Sequence, residues 1–305
     1  MGAALAVLEW LLDSDPSIRW QVMRDLADAG DEAVADERAR VAVEGWGAQL
    51  LALQEPDGRW GGGTYFPSWT STAWTLSLLR NLGLDPRSEP ARRAVAPVRE
   101  NAKWEYDDLP FFDGEVEPCI NGLAVALGSY YGQDVQVIVD RLLGEQLSDG
   151  GWNCEQERGS TRGSFHSTIC VLEGLLEHER ATGTTPELTA ARLKGQEYLV
   201  ERRLRHRLST GEVIDPEWTR FAFPTYYFYD VLRGLDYLRD AAAVPDERLE
   251  EAVALVEKKR NDDGRWLLEN PHPGETHLDL DESEGNPSRW NTLRALRVLR
   301  WYDPR

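Results

Sequence analysis

The sequence has few basic residues and few cysteines. It carries 34 lysines and arginines against 53 acidic residues, a formal net charge of −19 at pH 7. Phosphate contacts dominate nucleic-acid affinity, so this acidity argues against nucleic acid and anionic membranes as partners. Three cysteines are too few, and odd in number, for a disulfide framework. We therefore expect a reducing, cytoplasmic setting.

Long apolar runs are also missing. No stretch reaches the roughly 18 apolar residues that cross a bilayer, so we expect no transmembrane segment. The apolar start of the chain contains Glu9 and lacks basic residues, so we expect no signal peptide. Alternating strand patterns of useful length are absent as well, which leaves helices as the building blocks of the core.

What the sequence does contain is a repeated turn. The pattern Asp-Gly-x-Trp occurs at 57–60, 149–152 and 263–266. Asp-Gly tolerates the left-handed corner of a tight turn, and a tryptophan can cover the apolar end of a helix. Apolar helical runs also recur, and each begins at or just after one of the residues Pro16, Pro67, Pro118, Gly163, Pro224 and Pro287. Such spacing indicates a repeat architecture.

Six amphipathic, more charged helices lie between these apolar runs. They cover roughly 3–13, 36–54, 89–102, 133–146, 187–206 and 246–260. Because outer and inner helices alternate, the sequence predicts an all-α fold, an α6/α6 barrel of six outer and six inner helices. We expect residues 1–305 to form one domain of six helical hairpins. The first and last repeats resemble each other, as in a closed ring.

Parallel inner helices would place their starts at one end of the barrel. The predicted substrate-binding residues there are Trp20, Trp69, Trp74, Phe165, Tyr226, Trp290 and Arg162. Such an aromatic wall suits a hydrophobic or cationic small molecule, although the same side chains could simply plug the barrel. Asp230, Tyr229 and Tyr227 are the candidate catalytic residues, for proton transfer or cation stabilisation.

A thiol and an imidazole begin consecutive inner helices, Cys119 the third and His166 the fourth. Thiolate and imidazole are usual zinc ligands. Glu117 or Cys154 would supply a third ligand and leave the fourth position open, as in catalytic zinc sites. The alternative is a buried cysteine and a hydrogen-bonded core histidine.

An acidic motif precedes the last inner helix and contains Asp279, Asp281 and Glu282. It is either a general acid or a solvated rim loop. A carbohydrate-active α6/α6 barrel would use a carboxylate pair from a set such as Glu117, Asp230 and Asp281. A further alternative is a non-catalytic barrel that binds a hydrophobic ligand or a partner protein.

The Gln-x-x-Asp-Gly-x-Trp turns at 54–60 and 146–152 resemble the repeats of the terpenoid cyclase and protein prenyltransferase superfamily, whose fold is an α/α barrel. Glu117-Pro118-Cys119 resembles the zinc-binding Asp-x-Cys of the protein prenyltransferase β subunit, with Glu for Asp. Phe165-His166 resembles the aromatic-His pair of the next repeat.

The resemblance implies a zinc-dependent transferase or cyclase that acts on a hydrophobic, isoprenoid-like or thiol-bearing small molecule. It also implies a helical partner subunit. In that family basic residues upstream of the Asp-x-Cys hold a diphosphate. Acidic residues stand there in this chain, namely Asp107, Asp108, Asp113 and Glu115.

Overall fold

The computed structural model describes residues 2–281 and 283–303, with side chains from residue 5 onward. This part of the chain contains thirteen α-helices and one short antiparallel ribbon, in which β1 (Trp266–Leu267) pairs with β2 (Pro287–Ser288). The helices are α1 (Gly2–Leu12), α2 (Pro16–Asp25), α3 (Asp31–Ala39), α4 (Gly45–Ala52), α5 (Thr72–Leu82), α6 (Glu89–Asn101), α7 (Pro118–Tyr130), α8 (Gln136–Gly144), α9 (Phe165–Thr182), α10 (Pro186–Glu201), α11 (Val231–Asp240), α12 (Glu250–Lys258) and α13 (Arg289–Tyr302).

The helices α2, α5, α7, α9, α11 and α13 form a closed inner ring. From α5 to α13 each contacts the next, and α13 packs back onto α2. The indole Nε1 of Trp20 donates to the Leu82 carbonyl at 2.9 Å and joins α2 to α5. The outer helices are α1, α4, α6, α8, α10 and α12. Helices α1, α4, α8, α10 and α12 pack against inner helices, and Gln54 after α4 donates from Nε2 to the Ala94 carbonyl of α6 at 2.7 Å. The predicted all-α α6/α6 barrel is therefore confirmed.

The Asp-Gly-x-Trp turns join outer helices to the inner helices that follow them. Each tryptophan of the three turns is fully buried, and its Nε1 donates to an outer-helix carbonyl at 2.7–2.8 Å. Its backbone N–H donates to a threonine Oγ1 of the next inner helix at 3.0–3.2 Å. The pairs are Trp60 with Thr72, Trp152 with Thr168, and Trp266 with Thr292.

The second outer helix differs from the prediction. The expected helix 36–54 is divided into α3 and α4, with a 3-10 turn at Arg40–Ala42 between them. Gly45 has a φ of +62°, and a Cβ there would overlap the Asp15 carboxylate. That carboxylate accepts the N–H of Trp46 at 2.8 Å, so the chain bends where only glycine fits.

Two inner helices begin later than the proline pattern predicts. Helix α5 starts at Thr72 rather than Pro67, because Thr72 is the residue that the first Asp-Gly-x-Trp turn contacts. Helix α11 starts at Val231 rather than Pro224. Its start is set by Asp230, whose carboxylate accepts the N–H of Arg233 at 2.7 Å and caps the helix.

One continuous hydrophobic core joins the two rings of helices. Among the described helices, none combines the length and the apolar character that a membrane span requires.

Candidate functional site

Helices α7 and α9 approach each other closely through two glycines. A Cβ on Gly122 would lie 2.5 Å from the Cys170 carbonyl oxygen, and one on Gly174 would lie 2.4 Å from the Gly122 oxygen. Any larger residue would force the two backbones apart. This contact brings the first turn of α7, with Cys119, next to the first turn of α9, with Ser167.

Cys154 lies in the loop that leads into α9 and is fixed against that helix. Its N–H donates to the Ser167 hydroxyl at 3.2 Å, and its sulfur lies 3.2 Å from the same oxygen. The end of the loop is held by the N–H of Ser164, which donates to the Trp152 carbonyl at 2.8 Å. The loop therefore presents Cys154 to the start of α7.

Glu117, Cys119 and Cys154 form one cluster, with their ligand atoms within 4.8 Å of one another. The two sulfurs are 2.8 Å apart, and the Cys119 sulfur is 3.6 Å from Glu117 Oε2. Zinc takes these donor types, and three protein ligands with one open side are the arrangement of catalytic zinc. The donor types therefore fit zinc. The two sulfurs lie closer together than two sulfur ligands of one zinc ion would, so they would separate on metal binding.

The two thiols of the cluster differ in acidity. The hydrogen bond with Cys154, followed by burial, raises the pKa of Cys119 well above its usual range. The hydrogen bond with Cys119 lowers the pKa of Cys154; the Ser167 hydroxyl adds to this, while burial opposes it. Cys154 is therefore the readier thiolate, the form that binds metals and attacks electrophiles.

His166 lies outside this cluster. Its Nδ1 accepts the backbone N–H of Tyr229 at 2.9 Å, so the neutral ring carries its proton on Nε2. Burial, with a smaller effect of Arg233, lowers the pKa of His166 to about 4, which keeps the ring neutral near pH 7. The structure thus brings together three of the four predicted metal ligands and leaves His166 as the acceptor of the Tyr229 N–H.

The three candidate catalytic residues make different contacts in the structure. The Tyr229 phenol is buried and donates to the Leu204 carbonyl at 2.8 Å, while Asp230 caps α11. The ring of Tyr227 stacks on His166 at 5.1 Å. Burial raises the pKa of Tyr227, and the charges of the nearby thiols add to the effect. Of the three, Tyr227 is the one that the structure places near the cluster.

A cavity of about 290 Å³ lies inside the inner ring and is lined by all six of its helices. We expected a site at the helix starts, but this cavity reaches the other end of the barrel. Its rim includes Arg24, Arg180 and Asp240, in the last turns of α2, α9 and α11, with side chains 40–45% exposed. The cavity therefore opens at the carboxyl ends of the inner helices.

The predicted substrate-binding residues divide between the cavity and its surroundings. Those that line it are Trp20, Trp74, Tyr226 and Trp290. Trp69 instead covers the opposite end of the barrel, because it stacks on Tyr226 at 4.0 Å and donates to the Pro273 carbonyl at 2.8 Å. Phe165 is buried in the wall, and Arg162 is exposed in the loop before α9.

The sequence analysis missed a group of arginines. Five cavity-lining arginines have less than a fifth of their side chains exposed, namely Arg80, Arg233, Arg239, Arg294 and Arg297. Helical periodicity contained a signal for two of them. Arg294 and Arg297 follow Trp290 by four and seven residues, so all three share one face of α13.

Of the acidic motif before α13, Asp281 contacts the start of the helix. Asp281 accepts the N–H of Arg289 at 2.9 Å at the start of α13, and burial raises its pKa to about 6. Asp279 is exposed, and Glu282 lies outside the described residues. None of Glu117, Asp230 and Asp281 lines the central cavity, so these described carboxylates form no pair across it.

No known protein family matches the sequence, and no curated protein matches it. Among solved structures, a variant of the type II terpene cyclase MstE from Scytonema, in complex with its substrate geranylgeranyl dihydroxybenzoate, is similar to this chain. The TM-score is 0.45 and the identity 16%, over 98% of this chain and 93% of the cyclase chain. This likeness is at most one of fold and carries no argument about ligand or reaction.

Proposed function

We propose that this chain is an enzyme that uses a zinc ion, held by Glu117, Cys119 and Cys154, to act on a hydrophobic, isoprenoid-like or thiol-bearing small molecule. The cluster of one carboxylate and two sulfur atoms within 4.8 Å carries the proposal. Zinc supplies Lewis-acid chemistry to whatever group enters the open side of such a site.

The residues around the cluster would bind and orient the substrate. Burial, followed by the nearby thiols, raises the pKa of both Tyr65 and Tyr227, so both phenols stay protonated. A protonated phenol donates a hydrogen bond, and the face of its ring stabilises a cation. His166 Nε2–H is a further neutral donor. These groups suit a substrate with one polar atom beside the cluster and an apolar part against the rings.

Zinc content tests the proposal directly. Protein purified with a reductant and without chelators should contain about one zinc per chain, because three ligands and one open position make a complete site. Cys119→Ala and Cys154→Ala should each lose the metal, as measured by elemental mass spectrometry. Cobalt substitution of the wild-type protein should give a thiolate charge-transfer band that both variants lack.

Cys170→Ala is the matched control. Burial raises the pKa of Cys170 to about 11, and this thiol is not a member of the cluster, so the variant should keep its zinc. Wild-type protein without zinc, and with no rise in melting temperature on adding zinc, would overturn the proposal. Native mass spectrometry would then test the alternative, a metal-free barrel that carries a hydrophobic ligand.

A further inference from the structure

The central cavity holds more positive than negative charge, although the chain as a whole is strongly acidic. Eight arginines line it, namely Arg24, Arg38, Arg180 and the five largely buried ones. The carboxylates that pair with them are Glu173, Glu177, Asp236, Asp25 and Asp240. The half-exposed Asp240 pairs with Arg180 at 2.9 Å at the rim. Within the described residues, eight arginines against five paired carboxylates leave the cavity and its rim with an excess of three positive charges.

Asp236 contacts three of the largely buried arginines. Its carboxylate accepts from Arg297 Nε at 2.8 Å and from Arg239 Nε at 3.0 Å, and Arg294 Nε lies 3.5 Å away. Although burial opposes it, Arg297 and Arg239 hold the pKa of Asp236 well below its usual range. Asp25 lies 3.6 Å from Arg297 and Asp240 lies 3.5 Å from Arg239, so these two carboxylates share in the neutralisation. Arg294 has no other carboxylate partner among the described residues, and buried charge without a close partner is costly.

Two further features of the cavity lack a partner. Arg38 at the rim donates to the Gly83 carbonyl and the Tyr130 hydroxyl, and no described carboxylate pairs with it. Trp74 and Trp290 line the cavity, and the buried Nε1 of each has no hydrogen-bond acceptor among the described residues. Hydrogen-bond donors are thus in surplus over acceptors on this wall.

The helix dipoles do not explain the positions of all five largely buried arginines. Cations are favoured in the last turn of a helix, which suits Arg80 and Arg239. Arg233 lies in the first turn of α11, where the dipole disfavours a cation, and Arg294 lies in the middle of α13. Arg233 is held by the Glu173 carboxylate and the carbonyls of Tyr226 and Phe228, which explains its position. Arg294 donates to the Ala222 carbonyl and lies 3.5 Å from Asp236, so it is the less fully paired of the two.

We propose that the central cavity binds a phosphate-bearing small molecule, with the phosphate at the end that contains Arg239, Arg294, Arg297 and Arg38. A phosphate supplies negative charge to balance this excess of positive charge, and guanidinium groups bind it through paired hydrogen bonds. A volume of about 290 Å³ suits a small ligand, and the aromatic wall formed by Trp74, Tyr226 and Trp290 receives its apolar part.

Titration calorimetry with inorganic diphosphate at low ionic strength tests this inference. Wild-type protein should bind diphosphate but not acetate. Arg38→Gln and Arg239→Gln should each raise Kd about tenfold, equivalent to about 1.4 kcal/mol. Both variants leave Asp236 paired with Arg297, and circular dichroism should show that they fold. Added salt should weaken binding, as expected for a charge-driven site.

Arg92→Gln is the matched control, because this exposed arginine lies on outer helix α6, away from the cavity, and pairs with Glu89 at 3.7 Å. Its Kd should equal that of the wild type. The titration is repeated in Cys119→Ala, so that diphosphate binding to a zinc ion is separated from binding in the cavity. Absent binding, equal Kd values in the three arginine variants, or equal binding of acetate would overturn the inference.

Discussion

Gly122 and Gly174 determine where the candidate metal ligands meet. Each lacks a Cβ at a point where one would lie within 2.5 Å of a backbone oxygen of the facing helix. Cys119 is one turn before Gly122, and Ser167, which holds Cys154, is two turns before Gly174. The contact between the helices therefore sets the spacing between the two sulfurs. The two helices can approach this closely because neither glycine has a side chain.

Gly122→Ala should destabilise the protein by about 1–3 kcal/mol, the usual cost of overpacking a close backbone contact. The added methyl would meet the Cys170 carbonyl at 2.5 Å and the Val171 Cα at 2.7 Å, and neither can rotate away. Because the two helices would lie further apart, the variant should also bind zinc less well. Chemical denaturation measures the first effect, and metal content the second.

Gly144→Ala is the control for that substitution. Gly144 ends α8, and a Cβ there would meet nothing within 4 Å, so alanine should be neutral or slightly stabilising through its helix propensity. If the two variants were equally stable, the close contact would not limit the approach of α7 to α9.

At the level of elements, the sequence predicted best where local chemistry fixes the structure. The Asp-Gly-x-Trp turns and most helix spans were found because turn residues and helical periodicity are local signals. The start of α11 was missed although its cap is local, because Asp230 was interpreted as a catalytic residue rather than as an N-cap. The start of α5 was missed because it depends on a contact of Thr72 with Trp60, twelve residues away. The break at Gly45 likewise depends on Asp15, some thirty residues away.

Thr292→Val should cost about 1–3 kcal/mol, because it leaves the buried N–H of Trp266 without its acceptor at 3.0 Å. Valine has nearly the same shape, so little packing is lost. Thr72→Val and Thr168→Val should cost similar amounts, since Trp60 and Trp152 make the same bond. Thermal and urea unfolding measure all three.

Thr184→Val serves as the control, because Thr184 is exposed in the loop before α10. It should leave stability unchanged within about 0.5 kcal/mol. Equal stability of Thr184→Val and the three buried variants would mean that the turn threonines do not join the outer and inner helices.

At the level of the whole molecule, the net charge of the chain and the charge of its central cavity have opposite signs. The net charge of −19 describes the chain, while the arginines of the cavity lie on faces of the inner helices that meet only when the ring closes. Taken one helix at a time, the sequence pointed to the aromatic residues at the helix starts as the binding site. The convergence of arginines from different helices at the other end is a property of the assembled ring, so sequence analysis did not predict it.

Ring closure leads to a last prediction, about cooperativity. Arg297 on α13 contacts Asp236 on α11 at 2.8 Å and Gln21 on α2 at 3.0 Å, so the last repeat is bound to the first. We therefore expect the chain to unfold in one transition, with circular dichroism and tryptophan fluorescence coinciding. Arg297→Gln should lower stability by about 3 kcal/mol, because it breaks a buried ion pair. Arg300→Gln, which removes an exposed pair with Asp28, should cost less than about 1 kcal/mol. Two separate transitions in the wild type would contradict the single-domain prediction, and equal costs for the two arginines would mean that the contact of α13 with α2 does not hold the ring closed.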